Sequence, residues 1–96
     1  MNKYQALSNL RSLLRSMERD LGLDDLSQAE LDVFLAAQSI ATLPEDVITS
    51  TEMRHHDLVA PFPPATYHRA LRALVDRGLL KKAKGAKAKS YVLVAR

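Results

Sequence analysis

Five lysines, Lys81, Lys82, Lys84, Lys87 and Lys89, fall within nine residues, with only alanine and glycine between them. Ammonium groups at that density suit a polyanion. They are point charges that meet phosphates and carry little base information. Upstream, Arg69 and Arg72 stand three residues apart. An arginine fork can donate two hydrogen bonds to guanine O6 and N7, while an alanine or a threonine methyl such as Ala65 or Thr66 can touch thymine. Histidine supplies the other candidate chemistry, at His55, His56 and His68. Adjacent histidines on a helix point about 100° apart, and zinc wants three or four ligands, so His55 and His56 predict no metal site. One of these histidines is instead expected to face the core or approach a phosphate, with tighter binding at lower pH.

Catalytic chemistry finds little support. Ser27 and Thr49 sit where helix caps belong, and no base with an orienting partner accompanies either. Three glycines cannot build a phosphate-cradling loop, and the acidic stretches "DLGLDD" and "PED" lack calcium-loop spacing. The absence of cysteine excludes a thiol nucleophile, a disulfide framework and a thiolate zinc site. The expectation is a binding protein, not an enzyme, without cofactors.

Charge placement sharpens that reading. The net charge of +3 conceals two unlike parts: residues 1–60 carry five Lys/Arg against ten Asp/Glu, and residues 61–96 carry nine against one. Only the second part attracts a polyanion. No apolar run approaches the roughly 20 residues that span a bilayer, and no signal pattern opens the chain. A cytoplasmic protein with no membrane partner is the default.

These groups must be positioned by a fold, and 47% hydrophobic residues in a chain of 96 predict one core. Residues 1–22 read as an N-terminal helical appendage and residues 23–96 as the domain. In the appendage, Leu7, Leu10, Leu14, Met17 and Leu21 follow alternating steps of four and three, the spacing of a coiled-coil seam. Gly22 marks its stop. Leu13 widens the stripe. Pairing with a second copy across a twofold axis is the preferred reading, against a helix folded onto its own domain.

A second helix follows a Ser27–Glu30 capping box with a Leu26–Leu31 staple, and turns Leu31, Phe34, Leu35, Gln38 and Ala41 or Thr42 to one face. "VIT" is a candidate short strand. A third helix starts at a Thr49–Glu52 capping box and runs through "EMRHHDLV" to the prolines of "APFPP". Pro64 opens a fourth helix that ends at Gly78. Tyr67, Ala70, Leu71, Leu74 and Val75 make its core face, with Ala65, His68, Arg69, Arg72 and Asp76 opposite. "LLKKAK" and "KAKSYVLVA" then form two strands around a glycine turn, Tyr91 and Leu93 on one face and Val92 and Val94 on the other.

The order of helix, short strand, helix, turn, helix and basic hairpin resembles a winged helix-turn-helix. "ATYHRALRALVDRGLLKK" is similar to the recognition-helix-to-wing segment of MarR-type transcriptional regulators. The resemblance covers residues 26–94. It implies a mainly α fold with a small β-hairpin (α+β) and sequence-specific binding of double-stranded DNA by a homodimer. Residues 64–77, with Ala65, Thr66, His68, Arg69 and Arg72, would enter the major groove, and the wing lysines of 81–91 would meet the backbone. Two departures stand out: the wing lacks the aspartate and arginine that many of that family carry near its tip, and no helices follow the second wing strand. The seam would then carry dimerisation, and no effector pocket is implied. The alternative is a protein-interaction, assembly, replication or partition module on the same fold, its basic wing meeting RNA or an acidic protein.

Overall fold

The computed structural model describes residues 2–85 and 89–94. The chain is mainly α with a small antiparallel sheet, and its elements run α1 (Lys3–Asp20), α2 (Gln28–Ile40), β1 (Ile48–Thr49), α3 (Ser50–His55), α4 (Pro64–Asp76), β2 (Leu80–Lys82) and β3 (Ser90–Leu93). Three helices begin with a reciprocal capping box: Asn2 with Gln5, Ser27 with Glu30 and Thr49 with Glu52. Each box satisfies two amide donors that the helix itself leaves free. Pro64 occupies the first turn of α4, where its missing N–H costs no helical bond.

Glycine stops α1 and α4 in one way. Gly22 and Gly78 take φ of 73° and 78°, a region that other residues enter only with strain. The chain reversal lets the Leu23 N–H reach the Glu18 carbonyl at 2.8 Å, and the Leu79 N–H reach the Leu74 carbonyl at 3.0 Å. Leu23 and Leu79 are thereby delivered into the core.

β3 is the central strand, paired with β1 on one side and β2 on the other. The register sets Ile48 opposite Tyr91, and Leu80, Lys81 and Lys82 opposite Leu93, Val92 and Tyr91. Ile48, Leu80 and Tyr91 are buried and close the core from below the helices. Above them α2 packs chiefly on α4, with α3 on its other flank. Tyr67, Met53, Val33, Val59 and Leu74 fill the interior.

Three expectations are corrected. α2 buries Leu31, Val33, Phe34, Ala36 and Ala37, while Leu35 and Gln38 lie exposed. A helix flanked by α3 and α4 must bury a broad stripe, and the small Ala36 and Ala37 permit close approach. α3 ends at His55 instead of running to the prolines. The Leu58 N–H donates to His56 Nδ1 at 3.1 Å, and the amides of Val59 and Ala60 turn back to the His56 carbonyl. β3 begins at Ser90 rather than in the lysine run.

α1 contributes no buried side chain. Leu7, Leu10, Leu14, Met17 and Leu21 are between 49% and 61% exposed. The helix projects from a molecule measuring 52 × 29 × 23 Å. That excludes a stripe sealed against its own domain. Among the described residues no helix is long and apolar enough to cross a membrane.

Candidate nucleic-acid interface

α4 carries the arginines, and its apolar face determines where they point. Tyr67, Ala70, Leu71 and Leu74 are buried. At 3.6 residues per turn the opposite face must then carry Ala65, His68, Arg69 and Arg72, all of which are exposed. Thr66 is half-buried. Neither Arg69 nor Arg72 has an ion-pair partner among the described residues. Their charge is uncommitted.

Arg77, one turn further on, is engaged differently. Its Nη1 lies 2.8 Å from Asp25 Oδ2, and its Nε 3.8 Å from Glu30. The hydrogen bond from Arg77 and its positive charge hold the Asp25 carboxyl below the usual range, and the same bond raises the guanidinium. Arg77 therefore ties the turn before α2 to the end of α4 instead of serving the exposed face.

Two depressions follow one another along the hairpin side of that face. Toward the C-terminal end of α4, Arg72, Val75 and Asp76 share a groove of about 270 Å³ with Lys82 and Tyr91. Toward its N-terminal end, on the same stripe of the helix, His68 shares a depression of about 190 Å³ with Lys89, Thr51, Arg54 and His55. Strand alternation explains the first arrangement: Lys82 lies on the Leu80 face of the sheet, which is turned toward α4. Lys81 falls on the other face, lining a separate groove with Gln38, Leu43, Glu45 and Asp46. The five lysines are thus not one surface. Lys84 is exposed near the hairpin tip, and Lys87 lies outside the described residues.

Lys89 is held by its backbone. Its φ is 70°, a strained value for a side-chain-bearing residue. Its carbonyl accepts from the Ser50 N–H at 2.8 Å, and the Ala83 N–H donates to the neighbouring Ser90 carbonyl at 2.9 Å. The first bond pins the loop end of β3 to the start of α3, beside His68, and the second closes the hairpin at its loop.

The turn between α3 and α4, residues 56–63, is tied by a residue that the sequence did not single out. The half-buried Arg54 donates to the carbonyls of Val59 and Ala60 at 3.2 Å each and of Phe62 at 2.8 Å. Its guanidinium also stands 5.7 Å from the centre of the Tyr67 ring. The only local signal was an arginine ahead of a proline-rich turn. His55 Nδ1–H donates to the Thr51 carbonyl at 2.8 Å, which leaves Nε2 for another partner. The His68 ring tilts against Tyr67 at 5.1 Å. Among the described residues no three His, Asp or Glu side chains gather into a potential metal site.

Of the acidic groups, Glu45 and Asp46 lie in the separate groove beside Lys81. Asp46 accepts from the Leu43 N–H and from the N–H and hydroxyl of Thr42, each at 3.0 Å. Those bonds, Leu43 first, hold its carboxyl below the usual range. Asp76 lines the first groove together with Arg72.

No protein-family model, curated protein or solved structure matches the chain.

Proposed function

We propose that this chain is a homodimeric winged helix-turn-helix protein, MarR-like and compact, that binds double-stranded DNA sequence-specifically as a transcriptional regulator. α4 is the recognition helix. Arg69 and Arg72 read base edges, with Ala65, Thr66 and His68 beside them, while Lys82, Lys84 and Lys89 of the hairpin meet phosphates alongside. Lys81 contributes long-range attraction from the far side of the wing. The protein acts without catalysis and works in the cytoplasm.

One observation carries this reading: exposed, uncommitted arginines on α4 stand beside lysines of the hairpin that share two successive depressions along one side of that helix. A 13-residue helix about 20 Å long fits a major groove about 12 Å wide, and the hairpin lysines beside it would meet the phosphates of one groove wall. The eight-residue turn before α4 is longer than the tight turn of a minimal helix-turn-helix. Arg54 compensates by bonding three of its carbonyls.

Fluorescence anisotropy with a random duplex at low and high salt tests the reading. Log affinity should fall linearly with log salt, with a slope of about −0.9 per phosphate contact. Absence of binding at low salt would overturn it.

A further inference from the structure

α1 carries a charge pattern that selects how two copies meet. We propose that α1 pairs antiparallel with α1 of a second copy, in the register that sets Leu14 level with the partner's Met17. The inference rests on the homodimer reading above and specifies its geometry.

The seam residues occupy the two core positions of a seven-residue repeat, Leu7, Leu14 and Leu21 at one and Leu10 and Met17 at the other. Arg11 and Glu18 lie beside the first set. Neither has an ion-pair partner among the described residues. In a parallel, in-register pair, flanking residues five apart meet across the seam, which sets Ala6 against Arg11 and Leu13 against Glu18. No opposite charges are joined. In an antiparallel pair, equivalent flanks face each other. Setting Leu14 level with the partner's Met17 also sets Leu10 level with the partner's Leu21. Arg11 then faces the partner's Glu18, twice by symmetry, and Leu13 lies beside the partner's Asp20. Shifting the helices by one repeat brings Arg11 against the partner's Arg11 and leaves Leu21 opposite Lys3. Only the first register joins unlike charges and covers the seam.

The same register accounts for apolar surface outside the helix. Leu7 runs past the end of the partner's α1, three residues beyond the level of its Leu21. An apolar depression of about 360 Å³ opens there, lined by Leu21, Leu23, Phe34, Leu35 and Gln38. Leu21 belongs to both the seam and this depression, so the two surfaces are continuous. A second groove of about 470 Å³ separates α1 from α2, with Arg11, Leu14 and Glu18 on one wall and Asp32, Leu35 and Leu58 on the other. An arriving helix covers Leu35 and Leu58, which are 39% and 42% exposed in the single chain. The two domains then attach about 16 Å apart along the helix axis, at 1.5 Å per residue over the eleven residues from Leu10 to Leu21. A parallel pair would attach them at one level.

Because the chain has no cysteine, introduced thiols report the geometry alone. The Leu10→Cys and Leu21→Cys variants are oxidised separately and as a mixture, since a disulfide needs Cα atoms within about 7 Å. A disulfide-linked dimer should form in the mixture and in neither variant alone. Linkage of Leu10→Cys to itself would establish the parallel pair and overturn the proposal, as would no linkage in the mixture. Sedimentation of R11E, E18R and the double variant provides the second reading. Each single reversal should weaken self-association about tenfold, and the double should restore it. Failure of the double to rescue would reject the register, and a wild-type monomer at every concentration would reject the dimer. None of these results depends on nucleic acid, so a failed DNA titration leaves them distinguishable.

Discussion

The Tyr67 hydroxyl donates to the Ser50 carbonyl at 2.9 Å and accepts from the Ser50 hydroxyl at 2.9 Å. Seventeen residues separate the two, and both are buried. This pair fastens α4, which bears the arginines, to the first residue of α3. The same Ser50 donates its N–H to the carbonyl of Lys89. One serine thus sets the spacing between the exposed helix face and the loop end of the hairpin.

Removing that hydroxyl should be felt in stability. Tyr67→Phe leaves buried Ser50 groups short of a partner and is expected to cost about 1–2 kcal/mol. For a domain of this size that is a fall in Tm of roughly 5–10 °C, measured by calorimetry. Burial, the first cause, raises the Tyr67 pKa. The phenol's contribution is therefore full below the ordinary value near 10 and is lost as pH rises beyond it, because the unfolded chain gives up its proton first. The variant should lose this alkaline sensitivity. Equal stability of variant and wild type at neutral pH would show that the bonds carry no net weight.

Arginines and lysines should separate in their effects on DNA. Arg69→Ala with Arg72→Ala is expected to reduce discrimination between a selected duplex and random sequence by about 1–3 kcal/mol per lost base contact. Lys82→Ala with Lys89→Ala should weaken both duplexes alike and make the salt slope shallower by about 0.9 per lost phosphate contact. Lys81→Ala, on the far face of β2, should change the slope least. Anisotropy titrations over a salt series distinguish these outcomes, and the opposite assignment would emerge if the lysine variants lost discrimination instead.

Deleting residues 2–20 should leave the domain folded, since α1 buries no side chain. The shortened chain is expected to unfold cooperatively, with a circular dichroism spectrum that lacks only the contribution of α1. It should sediment as a monomer where the full chain is a dimer. Binding to a palindromic duplex should fall by about 10²-fold or more, because the second domain no longer arrives at high effective concentration. A shortened chain that fails to fold would mean that α1 supports the core.

Signals confined to a few neighbouring residues were legible before any coordinates. The capping boxes at Ser27 and Thr49, the stops at Gly22 and Gly78 and the core face of α4 all emerged at the expected positions. Each depends on hydrogen bonds or side-chain directions within about two helical turns. α2 was harder to read because it is apolar almost all round. Its periodicity could not reveal that Val33 and Ala36 face inward while Leu35 does not. The end of α3 likewise depended on Arg54 reaching forward to Phe62, a bond that no local preference announces.

The candidate site divides along the same line. Residue type and spacing were enough to identify a basic helix face, a lysine-rich hairpin and an apolar seam, because charge and periodicity are written along the chain. Which lysine stands beside which arginine was decided in three dimensions. The pairing of β2 with β3 sent Lys82 toward Arg72 and Lys81 to the opposite face, and the bond from Ser50 to Lys89 brought the loop end of the hairpin beside His68. Those neighbours are remote in sequence, and only the closing of a shared core determines the distance between them.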